Sequence, residues 1–225
     1  RERGITIFSK QAVFTYDDME ITLLDTPGHV DFSAEMERTL QVLDYAILVI
    51  NGMDGVQSHT DTLWKLLKRY EIPTFIFVNK MDMDGSDKDA VFQNIRKKLD
   101  GDCVDFSSED RDEQIAMADE RLLDTYLDSG TVETEDIIEA ILDRKIFPCF
   151  WGSALKLSGV QELLDAMNTY MVMPAYNAEF GGRIFKISRD AKGERLTYMK
   201  VTGGCLKCRE QIEGTEGKVN QIRVY

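Results

Sequence analysis

The stretch ITLLDTPGH, residues 21–29, joins an apolar run to a loop that contains an aspartate and a glycine. The run from Ile21 to Leu24 has the composition of a short strand. In the loop, the carboxylate of Asp25 can hold Mg²⁺ through water molecules. The backbone N–H of Gly28 can approach a phosphate oxygen closely, because glycine has no Cβ. The stretch therefore predicts a strand that leads into a phosphate-binding and magnesium-binding loop. The alternative is an ordinary Pro–Gly turn in front of a helix.

Two further loops follow apolar runs in the same way. Asn79-Lys80-Met81-Asp82 comes directly after the run 74–78, and Gly152-Ser153-Ala154 comes directly after the run 147–151. Continuous apolar runs are typical of parallel strands that are buried on both faces. Three loops at the ends of three strands, in this order, predict a guanine-nucleotide site.

The second and third loops supply groups that suit guanine. The carboxylate of Asp82 can accept two parallel hydrogen bonds from the N1–H and N2–H₂ groups of guanine, which adenine cannot supply. The stem of Lys80 can lie along the flat face of the purine, and Asn79 can tie the two loops together. Ser153 and Ala154 complete the predicted pocket, with the N–H of Ala154 available to the guanine O6 atom.

His29 is the candidate catalytic residue. It lies one residue beyond Gly28, where its imidazole could orient the water molecule that attacks a γ-phosphate. A single loop histidine is usually inert, so this assignment depends on the position next to the phosphate-contacting glycine. His59 has no such neighbours, and we expect it to face solvent at the start of a helix.

The composition excludes several classes of protein. The 225 residues carry a formal net charge of −13, which argues against this chain alone gripping the backbone of DNA or RNA. No apolar run approaches about 18 residues and no signal peptide opens the chain, so we expect no membrane span. The four cysteines are irregularly spaced, which suits a reducing cytoplasm better than a disulfide framework.

The order of the patterns predicts an α/β fold. A hairpin is expected over 11–15 and 20–24, after which strands alternate with helices, as in βα units with a parallel sheet and helices on both faces. The expected strands are 45–50, 72–78 and 146–151. The expected helices are 31–43, 58–70, 86–99, 112–127, 135–144 and 159–171.

The pattern changes after Pro174. Strand-like segments at 183–188, 197–202 and 218–224 are separated by glycines, and no helical pattern remains. This texture predicts the start of an antiparallel β-barrel. We therefore divide the chain into a first domain, residues 1–178, and the first part of a second domain, residues 179–225.

Four strings carry a family resemblance that covers nearly the whole chain. Together they resemble a translational GTPase, and above all the elongation factor G group. Within that group, strings such as 46–50 and 185–187 are similar to the tetracycline-resistance ribosomal-protection proteins. The four strings are Arg3–Ile7, Asp25–Phe32, Asp54–Gln57 and Asn79–Asp82.

The resemblance implies a P-loop-type GTPase domain that binds GTP or GDP with Mg²⁺ and hydrolyses GTP when it docks on the ribosome. It places Thr6 in the first switch segment, where the hydroxyl would ligate Mg²⁺ in the presence of a γ-phosphate. It places Asp25 to His29 in the second switch segment. The tail of the chain would belong to the β-barrel domain of a translation factor.

The chain departs from the family in one respect. The family's phosphate loop, Gly-x-x-x-x-Gly-Lys-Ser/Thr, does not occur, and the pair Gly217-Lys218 has Ile212 in place of the first glycine and Val219 in place of the Ser or Thr. That loop supplies most of the N–H groups and the lysine that hold the β-phosphate. We expect this chain alone to bind GTP weakly. Because it opens on Arg1, we also expect it to be a segment of a longer parent protein, unless it is a compromised fragment.

Two functions compete at this stage. The first is a ribosome-stimulated GTPase whose parent protein includes the phosphate loop, and the presence of Asp25, His29 and Asp82 favours it. The second is a non-hydrolysing interaction module that keeps a degenerate guanine-nucleotide site, which only the missing phosphate loop favours.

Overall fold

The computed structural model describes residues 10–26, 33–190, 192–212 and 217–224, and these residues form eight strands and seven helices. The strands are β1 Lys10–Tyr16, β2 Met19–Asp25, β3 Ala46–Asn51, β4 Thr74–Asn79, β5 Cys103–Asp105, β6 Phe147–Trp151, β7 Gly181–Arg189 and β8 Arg195–Gly203. The helices are α1 Ser33–Leu40, α2 Ser58–Arg69, α3 Lys88–Lys98, α4 Arg111–Ala116, α5 Glu120–Ser129, α6 Thr134–Leu142 and α7 Val160–Tyr170. None of these helices is long and apolar enough to cross a membrane.

The centre of the fold is a four-stranded parallel sheet in the order β3-β4-β6-β5. Strand β4 lies inside it, and its first five residues are buried. Side chains alternate across a strand, so Phe75 and Phe77 pack on one face of the sheet while Ile76 and Val78 pack on the other. A strand of this kind has no polar face, which is why the sequence 74–78 reads as a continuous apolar run.

Helices cover both faces of this sheet, as the sequence predicts. One face packs against α4, α5, α6 and α7, which contribute residues such as Ile115, Leu122 and Ile137. The other face packs against α1, α2 and α3, through residues such as Met36 and Trp64. The predicted α/β fold with helices on both faces is therefore confirmed.

The hairpin of β1 and β2 forms a separate two-stranded antiparallel sheet. Among the described residues, β2 pairs with β1 and β3 pairs with β4, so no ladder joins β2 to β3. A cleft of about 2080 Å³ opens there, lined by β2, α1, β3 and the β7–β8 hairpin. On β3, Val49 is 58% exposed, which is unusual for a residue in a run this apolar. The hairpin and the parallel sheet thus face each other across an open cleft.

The tip of the β1–β2 hairpin is attached to the last helix of the domain. The hydroxyl of Tyr16 donates to Oδ1 of Asp165 on α7 at 2.5 Å, and Gln161 contacts both groups. The bond to Asp165 raises the pKa of Tyr16 to about 12. The contact joins residues 149 positions apart in the chain.

The β7–β8 hairpin contacts the end of α1. Lys200 on β8 donates to the carbonyl of Val42 at 3.0 Å and pairs with Asp44 at 2.6 Å. Arg183 on β7 donates to the carbonyl of Gln41. Carbonyls at the end of a helix lack partners within the helix, and cations there are favourable. The two strands thus stabilise the carboxyl-terminal end of α1.

Four sequence-based expectations about this fold are wrong. The expected helix 112–127 is two helices, because Asp119 caps α5 by accepting from the N–H of Arg121 at 2.9 Å. The described part of 218–224 forms no strand and contributes only an isolated bridge, Gln211 to Lys218. Strand β5 was not expected, since three residues are too few for a periodic signal. His59 does not face solvent, because both of its ring nitrogens are buried.

We predict that Tyr16→Phe weakens the attachment of the hairpin at neutral pH and removes part of the alkaline sensitivity of the fold. Because the pKa of Tyr16 is raised in the folded state, the stabilisation is complete below about pH 10 and is lost as the pH rises towards 12. Urea unfolding at several pH values tests this. The free energy of unfolding should fall more steeply for wild type than for Tyr16→Phe over that range. Parallel curves would contradict the role of the hydroxyl.

Candidate functional site

The carboxyl ends of β4 and β6 bring two of the predicted loops together. These strands pair in parallel, with Val78 opposite Trp151. The loop that starts at Asn79 therefore leaves the sheet beside the loop that starts at Gly152. The N–H of Gly152 donates to the carbonyl of Val78 at 3.0 Å, and the N–H of Met81 donates to the carbonyl of Gly152 at 3.0 Å. Backbone hydrogen bonds thus continue the pairing of the strands into the loops.

The carboxamide of Asn79 ties the two loops together. Its Oδ1 atom accepts from the N–H of Lys80 at 2.8 Å and from the N–H of Ala154 at 2.9 Å. Lys80 has a φ of +67°, a left-handed conformation that costs energy for a residue with a Cβ. The bond to Asn79 helps to hold it there. The N–H of Ala154, predicted to be available to guanine O6, is donated to Asn79 in this structure, so O6 would have to share or replace that bond.

Asp82 lies at the open side of the same pair of loops. Its Oδ2 atom is 3.0 Å from Nζ of Lys156, and its side chain is only 20% exposed. A hydrogen bond from Ser153, together with the Lys156 ammonium, holds the pKa of Asp82 below its ordinary value. The carboxylate is thus ionised at neutral pH, as a group that accepts from two parallel donors needs to be.

Two glycines allow the third loop to close tightly on itself. A Cβ on Gly152 would lie 2.1 Å from the carbonyl oxygen of Ser158, and a Cβ on Gly159 would lie 2.0 Å from that of Trp151. Gly159 also has a φ of +73°. The N–H of Ser153 donates to the carbonyl of Ser158 at 3.0 Å and closes the turn. This turn brings Lys156 back over Asp82.

A partly buried ion pair lies at the end of β6, immediately before this loop. Nε1 of Trp151 donates to Oδ1 of Asp105 at 2.8 Å, and Lys88 pairs with Oδ2 of Asp105 at 2.6 Å. Burial alone would raise the pKa of Asp105, but Lys88, Ser107 and Trp151 together hold it below its ordinary value. Asp105 thus joins β5, α3 and β6 at one point beneath the third loop.

Asp25 ends β2, in the hairpin rather than in the parallel sheet. Thr6, Gly28 and His29 lie outside the described residues. Within the described ranges, no group of three or more His, Cys, Asp or Glu side chains could hold a metal ion. Mg²⁺ in nucleotide sites takes one or two carboxylates and completes its shell with phosphates and water, so the single carboxylate of Asp25 fits that ion. The roles of these four residues stay predictions.

Sequence reasoning missed three residues in or beneath the site. Lys156 could have been suspected, because it follows Ala154 by two residues in a loop already assigned to the pocket. Asp105 and its partner Lys88 offered no signal, because they lie 17 residues apart in the sequence and more than 40 residues from Trp151. Only the folded sheet brings them together.

The fold is an α/β domain in which the loops at the carboxyl ends of β4 and β6 come together, and known proteins show the family to which it belongs. The family of the elongation factor Tu GTP binding domain matches residues 1–173. The chain belongs to this family, so the predicted resemblance to translational GTPases is confirmed.

Several curated relatives are similar over nearly the whole chain. The tetracycline resistance protein TetP of Clostridium perfringens is 33% identical over 240 aligned residues, covering 95% of this chain and 37% of that protein. The oxytetracycline resistance protein of Streptomyces rimosus is 34% identical, covering 94% of this chain and 36% of that protein. The tetracycline resistance protein TetM of Ureaplasma urealyticum is 31% identical, covering all of this chain and 38% of that protein. The chain thus spans somewhat more than a third of the length of these relatives.

A solved structure shows the same fold. A crystal structure of a protein from Thermus thermophilus superimposes with a TM-score of 0.80 at 21% sequence identity, covering 96% of this chain and 40% of that one. At this identity the likeness concerns the fold, which includes both the parallel sheet and the β7–β8 hairpin.

We predict that Asp82→Asn in the parent protein shifts its preference from guanosine towards xanthosine nucleotides. Xanthine carries a carbonyl at C2, which an amide can satisfy and a carboxylate repels. GDP affinity should fall by about tenfold to a hundredfold, since an unmatched polar contact costs about 1–3 kcal/mol.

Competition binding with GDP and XDP measures this shift. Asp84→Asn is the matched control, because Asp84 is an exposed aspartate two residues along the same loop. If Asp82→Asn kept the wild-type preference for GDP, Asp82 would not read the base.

Proposed function

We propose that this chain is the GTP-reading and GTP-hydrolysing part of a translation factor that acts on the ribosome, of the elongation factor G type. The observation that carries the proposal is the pair of loops joined through Asn79, with the ionised carboxylate of Asp82 at their open side. The family supports it independently, because its matched domain is described as a GTP binding domain.

Base selection is the step for which the described residues offer the clearest chemistry. Guanine presents two parallel donors on its Watson–Crick edge, and a carboxylate accepts both with charge-assisted hydrogen bonds. Asp82 would accept them, while the Lys80 stem covers the purine face. Adenine lacks these two donors and would leave the carboxylate without partners on that edge, so the site would favour guanine.

Hydrolysis would depend on the loop after β2. Asp25 and Thr6 would hold Mg²⁺, which neutralises charge on the phosphates, and the N–H of Gly28 would bind a γ-phosphate oxygen. His29 would orient the attacking water. The position of β2 supports this arrangement, because Asp25 ends the strand and the loop begins there.

Binding of the phosphates themselves needs more than these residues. The cleft between β2 and β3 is bordered on one side by a strand edge with the exposed Val49. No phosphate-loop pattern occurs in the 225 residues. We propose that the parent protein supplies both a further strand for this cleft and the phosphate loop, since the N–H groups of such a loop hold the β-phosphate.

The two-part division into residues 1–178 and 179–225 is part of the proposal. Helix α7 ends at Tyr170, and the next element is β7, which pairs antiparallel with β8 and contacts α1. This is consistent with a second domain that begins as a β-barrel. Action in the cytoplasm is also proposed, with the ribosome as the partner.

Protection of the ribosome against tetracycline is the finer form of this proposal. The supporting observation is that the curated relatives described above are called tetracycline or oxytetracycline resistance proteins. Release of labelled tetracycline from ribosomes by the parent protein with GTP distinguishes this activity from that of an elongation factor. An elongation factor would promote translocation and leave the bound drug in place.

A non-hydrolysing interaction module with a degenerate guanine-nucleotide site is the second candidate. The observation in its favour is the absence of a phosphate-loop pattern from the sequence. The two candidates differ in turnover, because an interaction module would bind guanine nucleotide weakly and would not hydrolyse GTP on the ribosome.

We predict that the 225-residue chain binds GTP at least about a hundredfold more weakly than the parent protein. Loss of two charge-assisted hydrogen bonds to phosphate, each contributing about 1.5–3 kcal/mol, is enough for this difference. Calorimetric titration of the two polypeptides measures it. Equal and tight affinities would show that the chain holds the phosphates by groups other than a phosphate loop.

We predict that His29→Ala in the parent protein leaves GTP binding near the wild-type level and lowers ribosome-stimulated hydrolysis at least about a hundredfold. The expected reason is that His29 contacts the attacking water and not the bound nucleotide, so its contribution is made only in the transition state. Single-turnover hydrolysis with saturating ribosomes, beside equilibrium GTP binding, separates the two effects.

His59→Ala serves as the control in that experiment, because it removes the other histidine of the chain. His59→Ala should change the stability of the fold and not the rate of hydrolysis, since both ring nitrogens of His59 are buried. Unchanged turnover in His29→Ala would remove His29 from the mechanism and would favour the interaction module.

A further inference from the structure

Lys156 reaches back from an exposed turn to the carboxylate that faces the base. Its side chain is 64% exposed, yet its Nζ atom lies 3.0 Å from Oδ2 of Asp82, whose side chain is 20% exposed. The residues on either side of Lys156 are open to solvent: Leu155 is 92% exposed and Leu157 is 73% exposed. The turn thus directs one cation inwards between two leucines that are open to solvent.

The backbone of the turn explains this geometry. The N–H groups of Lys156 and Ser158 both donate to the carbonyl of Ser153, at 3.1 and 3.2 Å. Leu157 has a φ of +58°, a left-handed conformation that reverses the chain immediately after Lys156. Lys156 is therefore held at a fixed distance from Ser153, and its flexible stem spans the remaining gap to Asp82.

The chemistry of the carboxylate sets what such a cation can do. An ionised carboxylate has about four acceptor positions, so a lysine and a serine on Asp82 leave room for two donors from a base. A protonated carboxyl would offer a donor where guanine also offers one, and a rotated carboxylate would meet only one of the two donors. Recognition of guanine therefore requires that Asp82 be both ionised and correctly turned.

We propose that Lys156 is a positioning residue for base recognition, whose ammonium, 3.0 Å from Oδ2, keeps the Asp82 carboxylate turned towards the two donors of guanine. This inference depends on the proposed function, in which Asp82 reads the base. Ser153, in the same turn, also donates a hydrogen bond to Asp82. The loop that approaches the base thus carries both groups that hold this carboxylate. The alternative is that the ammonium competes with guanine for Oδ2 of Asp82. In that case removal of the lysine would strengthen the binding of guanine nucleotides.

Binding of GDP and IDP to the parent protein tests this role, because hypoxanthine lacks the N2 donor. Lys156→Met keeps the length of the stem and removes the charge. We expect it to weaken GDP binding about two- to fivefold, the range for a partly exposed ion pair, and to narrow the preference for GDP over IDP. Lys156→Arg should restore both the affinity for GDP and the preference for GDP over IDP, because it returns a cation to the same carboxylate.

A matched control separates this local effect from general attraction of an anionic nucleotide. Lys97 is an exposed lysine on α3, and Lys97→Met removes the same charge elsewhere on the surface. It should leave the preference for GDP over IDP unchanged. If Lys97→Met reproduced the effect of Lys156→Met, or if Lys156→Met bound GDP as well as wild type or better, the positioning role would be wrong.

The pH profile of GDP binding gives a second readout, which a purely structural role would not change. Ser153 and Lys156 are the groups that hold the pKa of Asp82 down. Without the lysine that pKa rises, so the carboxylate protonates earlier as the pH falls. GDP binding by Lys156→Met should therefore begin to weaken at a higher pH than binding by wild type as the solution is acidified. Coinciding profiles would contradict the proposal.

Asp82→Asn, measured beside these variants, separates a failure of base reading by Asp82 from a failure of the role of Lys156. If Asp82→Asn fails to shift the preference towards XDP, base reading by Asp82 fails, and the role of Lys156 fails with it. If Asp82→Asn shifts the preference while Lys156→Met behaves as wild type, the proposed function stands and only the inference about Lys156 is overturned.

Discussion

The parallel pairing of β4 with β6 is the constraint on which the rest of the structure depends. A strand that is buried on both faces can carry a polar side chain only where a nearby group satisfies it, as the carbonyl of Ile72 does for Thr74 at 2.8 Å. Polar groups with positions left for a ligand therefore lie where the strand ends, and parallel strands end at the same edge of the sheet. Asn79 begins one loop and Gly152 begins the next, and the carboxamide of Asn79 joins them. The meeting of these two loops is a direct consequence of this edge.

Two aspartates near that edge show that burial decides whether a carboxylate serves as a structural anchor or stays available to a ligand. Asp105 pairs with Lys88, and its side chain is only 9% exposed; three further hydrogen bonds from Ser107 and Trp151 satisfy it. A carboxylate so well satisfied anchors the end of β6 and has no capacity left for a ligand. Asp82 pairs with Lys156 at the open side of the loops. It retains acceptor positions, and this difference makes it the group that can meet a base.

The two hairpins extend this arrangement to the outside of the domain. Tyr16 fastens the tip of the β1–β2 hairpin to α7. Asp25 lies at the other end of β2, away from this attachment. Lys200 fastens the β7–β8 hairpin to the end of α1. The cleft beside β3 lies between these attachments.

The sequence by itself determined the alternation of strands and helices, the order of the three loops and the residue types at their tips. Runs such as 74–78 are apolar because both faces of the strand are buried, and this requirement is local enough to read from the chain. The same reasoning failed at β5 and in the segment 112–127. A three-residue strand has no periodicity, and a cap at Asp119 overrides a continuous helical pattern.

The tertiary structure alone decided which polar side chains meet. The pairing of Lys156 with Asp82, of Lys88 with Asp105 and of Tyr16 with Asp165 joins residues that are 74, 17 and 149 positions apart. Their distances depend on how the sheet, the turn after β6 and the hairpin pack, and no local pattern records that packing. Hydrophobic burial acts on every apolar residue in turn and so leaves a periodic trace in the sequence. An ion pair needs only one partner at one distance, and it leaves none.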